Sequence, residues 1–259
     1  MNKSETKMGF GVFGKAYEYM FKNDLHHKRS VDHAILKNMI LLDKDSKSFL
    51  YKLPQPVSKD ICNHELYEIA LKLKGDNHLE SIDRTIEFVN EIVERFNTPF
   101  EEMIFGGTEL EIIKRGSDWC TDISRVGAAL LQCLGMPSRI VILVNPFEAY
   151  HGHQVVEVFV NGMYMMCDFL YGVIARLDQN YSVFDLLSKP KLVHKIYSSK
   201  INDSQQLDYI KSLYNLAAIS EYDISKKHNY QTSEPNAYYL KMMNLNQDGT
   251  WQMNEDKLE

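Results

Sequence analysis

The sequence predicts an α+β fold in which one helix packs on an antiparallel sheet, with helical segments added at both ends. Three neighbouring patterns support this prediction. Apolar residues recur at helical spacing after Cys120, and the run Ile140–Val144 has the composition of a buried strand. An Asn-Gly pair then separates two further β-rich runs, which is a strong signal for a hairpin closed by a two-residue turn.

The helix that follows Cys120 is predicted over residues 121–134. Its apolar positions are Ile123, Val126, Leu130, Leu131 and Leu134. This spacing is the stripe of an amphipathic helix that buries one face. Gly135 is predicted to end the helix, and Pro137 prevents its continuation.

The hairpin has a definite register if Asn161 and Gly162 form its turn. The predicted pairs are Val160 with Met163, Val158 with Met165, Val156 with Cys167, and Val155 with Asp168. Because side chains alternate along a strand, His153 and Asp168 fall on the same face and the most apolar residues fall on the other, core face. The register therefore predicts that His153 and Asp168 are diagonal neighbours within side-chain reach.

The rest of the chain is divided around these motifs. Residues 1–80 are predicted as a mostly helical N-terminal extension, 81–200 as the core domain, and 201–259 as a C-terminal extension that is helical and then irregular. Shorter segments are predicted as helical over 31–100, as two helices flanking Gly116 over 107–135, as β over 139–170 and as helical over 183–220. No internal repeat interrupts this order.

Composition excludes several classes of function. The chain has 259 residues and a net charge of -6, so no basic surface for nucleic acid or an anionic membrane is predicted. It lacks an apolar run of membrane-spanning length and a secretory leader, so no membrane span and a cytoplasmic location are expected. Four cysteines in a chain of this length indicate reduced thiols rather than a disulfide framework.

One cysteine stands in a position suited to nucleophilic chemistry. Cys120 precedes its helix, where free backbone N–H groups and the positive end of the helix dipole stabilise a thiolate or an oxyanion. His153 could take the thiol proton and return it to a leaving group. Asp168 could hold the imidazole in the correct tautomer and stabilise its cationic form. These three residues are the predicted catalytic set.

The same stretch resembles a known family. The segment GSDWCTDISRVGAALLQCLGMPSRIVI, followed by GHQVVEVFVNGMYMMCDFLYG, is similar to the transglutaminase-like branch of the papain-like cysteine superfamily. That family has a Cys opening a helix, a helix closed by G-[IM]-P-x-R, a strand, the motif H-x-x-V-E-V, a turn and an Asp. In this chain the matching positions are Cys120, Gly135 to Arg139, His153 and Asp168.

The resemblance implies a papain-like core, a Cys-His-Asp triad and thioester chemistry that needs no metal or other cofactor. It implies a peptide, amide or acyl-thioester substrate and leaves hydrolysis, transfer and oligomeric state open. Trp119 and His151 are predicted as substrate-binding residues. Trp119 could instead pack beneath the cysteine, and His151 is the main rival to His153 as base.

Two other functions stay open on the same residues. The first is an acyl-CoA-dependent transferase similar to arylamine N-acetyltransferases, whose signature the segment Arg115–Asp122 echoes loosely. The second is a non-catalytic binding module on the same fold. A metal site formed by His151, His153 and Cys167 is disfavoured, because strand alternation places Cys167 on the opposite face. The glycine-rich segment Gly9–Gly14 is not assigned to nucleotide binding, because no strand precedes it.

Overall fold

The computed structural model describes residues 40–42, 47, 51, 54, 64–98, 104, 106–145 and 152–220. The predictions made for Gly9–Gly14, Cys62, His151 and the tail after residue 220 lie outside these ranges. The described strands are β1 (Ile40–Leu41), β2 (Ser138–Val144), β3 (Gly152–Val160), β4 (Met163–Asp168), β5 (Val173–Ile174) and β6 (Leu216–Ser220). The described helices are α1 (His64–Lys72), α2 (His78–Glu94), α3 (Glu109–Arg115), α4 (Cys120–Cys133), α5 (Val183–Leu186), α6 (Pro190–Tyr197) and α7 (Ser204–Leu213).

The described strands form one antiparallel sheet in the order β1-β6-β2-β3-β4-β5. Helix α4 packs on one face of this sheet against β2 and β3, and α1, α2 and α3 pack around α4. Helices α5, α6 and α7 contribute to a second core, together with side chains from the opposite face of the sheet. The predicted α+β class, with one helix on an antiparallel sheet, is confirmed.

Helix α2 shows how local sequence defines an outer helix. Asn77 caps it by accepting a hydrogen bond of 3.0 Å from the backbone N–H of Glu80. One face carries the fully buried Ile82, Val89 and Ile92. This apolar stripe packs α2 against α4, so the helix that starts at Cys120 is covered on its outer side.

Helix α4 ends where the sequence predicts. Gly135 follows it with a φ of 80°, and Met136 N donates back to Leu131 O at 3.0 Å, which closes the helix end. The expected solvent-exposed polar face is absent, because every residue of α4 is buried. Its polar side chains have partners instead, as in the bond of 3.0 Å from Gln132 Nε2 to Ser138 O.

The β3–β4 hairpin has the predicted turn and register. Asn161 and Gly162 have φ angles of 54° and 82°, as a type I′ turn requires. The ladder pairs Val160 with Met163, Val158 with Met165 and Val156 with Cys167, as predicted. The ladder ends at Val156 and Cys167 and does not include the fourth predicted pair, and Asp168 pairs with Val173 of β5 on the other side of β4.

The prediction of a single core face is wrong. Val155 and Met166, on the face that carries His153, are buried in a second apolar core with α6 and α7. Sequence analysis did not predict what the apolar sides of α6 and α7 pack against. In the structure they pack on the sheet face that carries His153. The sheet is therefore covered on both faces.

The second face also holds a buried ion pair. Arg139, the second residue of β2, donates to Glu157 at 2.8 Å. Its guanidinium lies over the ring of Tyr164 at 3.7 Å and over that of Tyr51 at 4.5 Å. Tyr51 and the backbone N–H of Val183 donate to the other Glu157 oxygen. Glu157 therefore has several partners within the apolar core.

The prediction of continuous helix over 183–220 is wrong at its end. Leu216–Ser220 is strand β6, which pairs with β2 on one side and β1 on the other. An apolar run of four residues, Leu216–Ile219, has no decisive periodicity, and pairing with the edge of β2 decides its conformation. The predicted C-terminal extension thus contributes a strand to the main sheet.

The cysteines also differ in part from expectation. Cys120 and Cys167 are free and buried. Cys133 is disulfide-bonded, so the prediction of reduced thiols is wrong for this residue. Spacing along the chain did not indicate this bond, because pairing depends on distances that only the fold sets.

Within the described ranges, no helix has the length and apolar character needed to cross a bilayer. The same residues contain no cluster of three or more His, Cys, Asp or Glu side chains that could hold a metal ion.

Candidate active site

The imidazole of His153 is hydrogen-bonded to the carboxylate of Asp168. The distance from Nε2 to Oδ2 is 2.7 Å, and both side chains are fully buried. His153 is the second residue of β3 and Asp168 is the last residue of β4. The hairpin register therefore brings together two residues that are 15 positions apart, as the sequence predicts.

Cys120 lies beside the same imidazole. It is the first residue of α4, and its electrostatic and side-chain interactions contribute to the pKa of His153. Ser124, one turn further along α4, donates to the backbone carbonyl of Gln154 at 2.9 Å. This bond fixes the start of the helix next to the start of β3. Among the described residues, the ring nitrogen Nδ1 of His153 accepts or donates no hydrogen bond of ideal geometry, and Cys120 acts on the imidazole through its charge and a looser side-chain interaction.

The protonation of His153 is strongly perturbed. Burial alone would lower the pKa of His153, but the charge and hydrogen bond of Asp168, together with Cys120, outweigh it and raise the pKa to about 10. Asp168 is the principal opposing cause. The imidazole is consequently in its cationic form at neutral pH, and an imidazolium stabilises a neighbouring thiolate.

The carboxylate of Asp168 accepts hydrogen bonds at both oxygens. Oδ1 accepts from the backbone N–H groups of Leu170 at 3.1 Å and Tyr171 at 3.3 Å. Oδ2 accepts from His153 and from the hydroxyl of Tyr197, each at 2.7 Å. Four donors match the acceptor capacity of one carboxylate, which explains how Asp168 is accommodated without solvent.

Three tyrosines surround the His153–Asp168 pair and were not predicted from sequence. Tyr171 packs edge-on against the imidazole with ring centroids 5.7 Å apart. Tyr197 is hydrogen-bonded to Tyr214 with the two hydroxyl oxygens 2.9 Å apart. A signal existed for Tyr197: it lies one helical turn after Val193 on the apolar face of α6, and a buried phenol needs a hydrogen-bond partner.

A second buried carboxylate fixes the segment just before the thiol. Asp122 accepts from Arg115 at 2.9 Å and from the backbone N–H of Gly106 at 3.0 Å. Ser117 accepts from the backbone N–H of Trp119 at 3.1 Å and donates weakly to Asp122. These bonds connect the chain on both sides of α3 to the first turn of α4. Sequence analysis assigned Asp122 no role, because its partners lie 5 to 16 residues away.

The candidate site is enclosed. Cys120 and Asp168 have 0% of their surface exposed, and His153 and Trp119 have 1%. Trp119 therefore packs inward in this conformation, and its role toward a substrate stays a prediction. His151 lies outside the described residues, so its predicted role has no structural counterpart here. Cys167 is in the core on the α4 side of the sheet, on the face opposite to His153. It therefore cannot share a metal site with His153, as strand alternation predicted.

Comparisons with known proteins identify the family. A family model described as a transglutaminase-like domain matches residues 64–201, just over half of the chain. The chain therefore belongs to the transglutaminase-like domain family. This membership agrees with the resemblance that the segments around Cys120, His153 and Asp168 show in the sequence.

Comparisons with solved structures and with curated proteins add little to this family assignment. A crystal structure of a candidate cysteine protease from Cytophaga hutchinsonii is similar at 20% identity with a TM-score of 0.33. The match covers 50% of this chain and 43% of that protein, so the chain spans less than half of its length. A search of curated proteins found no match.

Proposed function

We propose that this protein transfers or hydrolyses acyl groups through a thioester on Cys120, with His153 as acid and base and Asp168 as the residue that orients His153. The observation that carries this proposal is the hydrogen bond between His153 Nε2 and Asp168 Oδ2, with Cys120 beside the ring. The donor is a peptide, an amide or an acyl thioester, and no metal or organic cofactor takes part.

In the first step, the Cys120 thiolate attacks the acyl carbon of the donor. The C–S bond forms as the bond to the leaving amine or thiol breaks, and the His153 imidazolium transfers its proton to the leaving group. A pKa of about 10 for His153 supports this order of events, because the proton is already on the ring when the donor arrives.

The developing oxyanion would be stabilised at the start of α4. The first helical hydrogen bond is that from Ile123 N to Trp119 O, so the N–H groups of Cys120 and Thr121 precede it and have no acceptor within the helix. Trp119 provides no side-chain cap for them. Such N–H groups at a helix N-terminus stabilise negative charge on a tetrahedral intermediate.

In the second step, neutral His153 accepts a proton from water or from an acceptor amine as that nucleophile attacks the thioester. The C–S bond breaks and the Cys120 thiolate is restored. Water gives hydrolysis and an amine gives transfer. The predicted substrate contacts at Trp119 and His151 belong to this proposal, and contact with the Trp119 side chain requires the enclosed site to open.

The enclosure is the one observation that favours the alternative of a non-catalytic binding module, since no surface of Cys120 is exposed. Cys167 provides a matched comparison, because it is free and fully buried like Cys120. Burial raises the pKa of the Cys167 thiol. Activation by His153 should therefore distinguish Cys120 from Cys167, whereas burial should not.

The test is iodoacetamide alkylation near neutral pH, with each cysteine followed by peptide mass spectrometry. We expect Cys120 to react faster than Cys167, and we expect His153→Ala to slow Cys120 by roughly tenfold or more without affecting Cys167. Equal alkylation rates at the two cysteines would refute the proposal that Cys120 is a catalytic nucleophile, and would favour the non-catalytic binding module. Acylation by acetyl-CoA, seen as a mass shift on Cys120, would favour the acyl-CoA-dependent alternative over a peptide or amide donor.

A cytoplasmic location remains part of the proposal and is separately testable. The disulfide at Cys133 removes one argument for it, because structural disulfides persist mainly in oxidising compartments. Rapid alkylation of whole cells, followed by mass spectrometry of the protein, reports whether Cys133 is reduced there. A fully oxidised Cys133 in cells would count against the cytoplasm.

A further inference from the structure

We infer that Tyr197, supported by Tyr214, is a positioning residue of the site, which limits how tightly Asp168 holds the His153 imidazolium. This inference rests on the proposed function of Cys120, His153 and Asp168. It concerns two tyrosines, Tyr197 at the end of α6 and Tyr214 directly after α7, that have no direct part in the proposed reaction.

The first step of the argument is the direction of the hydrogen bonds. Each phenol has one proton, and that of Tyr197 is donated to Asp168 Oδ2 at 2.7 Å. Tyr214 must therefore donate to the Tyr197 oxygen across their 2.9 Å contact. The chain runs from Tyr214 through Tyr197 to the carboxylate. Each bond in such a chain polarises the next and strengthens it.

The second step is that Tyr197 and His153 share one oxygen. Both donors are 2.7 Å from Oδ2, while Oδ1 is occupied by the backbone N–H groups of Leu170 and Tyr171. A hydrogen bond from Tyr197 withdraws negative charge from the oxygen that the imidazolium faces. The hydroxyl thereby both restrains the carboxylate and weakens its attraction for the proton on His153.

The third step is that this arrangement persists across the working pH range. Burial, and then the charge of Asp168, raises the pKa of Tyr197 well above its usual value, so the phenol remains a donor. Tyr171 is the other tyrosine against the ring, and burial likewise keeps it protonated by raising its pKa. Within the described ranges, the charged and titratable groups that act on His153 are thus Asp168 from β4, Cys120 from α4 and these neutral phenols.

The consequence concerns the proposed acid step. A general acid works best when its pKa is near the operating pH, and the pKa of His153 is already about 10. Without the Tyr197 hydroxyl, Oδ2 would be more basic and would hold the imidazolium proton more strongly. Proton delivery to the leaving group would then be slower. The C-terminal helices therefore contribute to the reactivity of a site formed by α4 and the hairpin.

The experiment compares Tyr197→Phe, Tyr214→Phe and a control, Tyr181→Phe. Tyr181 also donates its hydroxyl to a carboxylate, that of Asp178 at 2.8 Å, but does so at the surface. The primary measurement needs no substrate: the NMR resonance of the His153 Nε2 proton and the pH at which the imidazolium deprotonates. The second is the rate at which Cys120 is acylated by a donor found in the acylation screen.

We expect Tyr197→Phe to move the Nε2 proton downfield, to shift deprotonation to higher pH, and to reduce the acylation rate by roughly tenfold, about the effect of one hydrogen bond to a charged group. KM should change little. Tyr214→Phe should give smaller changes in the same directions, and Tyr181→Phe should give none.

Several results would overturn the inference. If Tyr197→Phe left the resonance and the pH of deprotonation as in Tyr181→Phe while lowering thermal stability, Tyr197 would be structural only. Should Tyr197→Phe fail to fold, an unchanged resonance in Tyr214→Phe would contradict the inference by itself. Failure of the proposed function is a separate outcome: His153→Ala would then leave Cys120 alkylation unaffected, whatever the tyrosine variants did.

Discussion

Ser124 and Gln154 connect the helix that starts at the candidate nucleophile to the strand that carries the candidate base. The Ser124 hydroxyl donates to the Gln154 carbonyl at 2.9 Å. Ser124 is one turn after Cys120, and Gln154 is the residue after His153. The relative position of the thiol and the imidazole therefore depends on a contact that involves neither side chain.

Replacement of Ser124 by alanine should loosen this connection. We expect Ser124→Ala to lower the free energy of unfolding by about 1 kcal/mol, the usual contribution of one hydrogen bond, and to slow Cys120 alkylation several-fold relative to the parent. Urea denaturation and peptide mass spectrometry measure the two effects. The control is Ser198→Ala, since Ser198 makes a similar bond to a backbone carbonyl at the surface. Equal effects of the two substitutions would show that Ser124 has no special role.

The pH dependence of stability should reveal the His153–Asp168 pair. A histidine whose pKa is about 10 in the folded protein and about 6.5 in the unfolded chain stabilises the fold fully below the lower value. That contribution is lost as the pH rises through the window between the two values. We therefore expect the free energy of unfolding to fall by a few kcal/mol more across this window in the parent than in His153→Gln. Parallel pH profiles for the two proteins would contradict a raised pKa of His153.

The buried pair of Arg139 and Glu157 should be important for folding. Arg139→Met leaves the Glu157 carboxylate buried without its charge partner, so we expect a loss of about 3–5 kcal/mol in the free energy of unfolding. Adding Glu157→Gln should restore part of that loss, since the uncompensated charge is then removed. Urea denaturation of both variants measures this.

The surface pair of Arg176 and Asp83 is the matched control for that prediction, because both side chains are more than one third exposed. Arg176→Met should cost less than about 1 kcal/mol. A similar loss for Arg139→Met and Arg176→Met would mean that burial does not set the importance of the ion pair.

Gly127 allows the closest approach between α4 and the residue after Asp168. A Cβ at this position would overlap the ring of Phe169. Alanine would add about 1 kcal/mol of helix propensity, but overpacking a rigid buried ring costs about 1–3 kcal/mol. We expect Gly127→Ala to be destabilising on balance and to displace Asp168, which a shift of the His153 Nε2 proton resonance would report. Phe169→Leu in the same chain should relieve the overlap, and a stable Gly127→Ala with an unchanged spectrum would contradict this account.

The predictable parts of the molecule were those specified by short-range pattern. The Asn161-Gly162 turn fixed the hairpin register, and the register alone placed His153 beside Asp168. Gly135 ended α4 as expected because only its left-handed backbone, with a φ of 80°, closes the helix there. In each case the determining residues are adjacent or a few positions apart.

The unpredicted parts depend on contacts between distant residues. Tyr197 reaches Asp168, and Tyr214 reaches Tyr197, from a helical region that sequence analysis could identify but could not place on a face of the sheet. Strand β6 forms because β2 offers a free edge, a fact that no local pattern contains. The disulfide at Cys133 depends likewise on distances set by the completed fold.

The burial of Cys120 has a consequence for the durability of the protein. Peroxide converts accessible thiolates to sulfenic acid and then, irreversibly, to higher oxides, and the rate follows exposure. With 0% of its surface exposed, the Cys120 sulfur is shielded from such oxidants for as long as the resting conformation persists. If Cys120 is the nucleophile we propose, its sulfur should stay intact in aerated solution, and inactivation by peroxide should accelerate once a substrate or a destabilising substitution opens the structure.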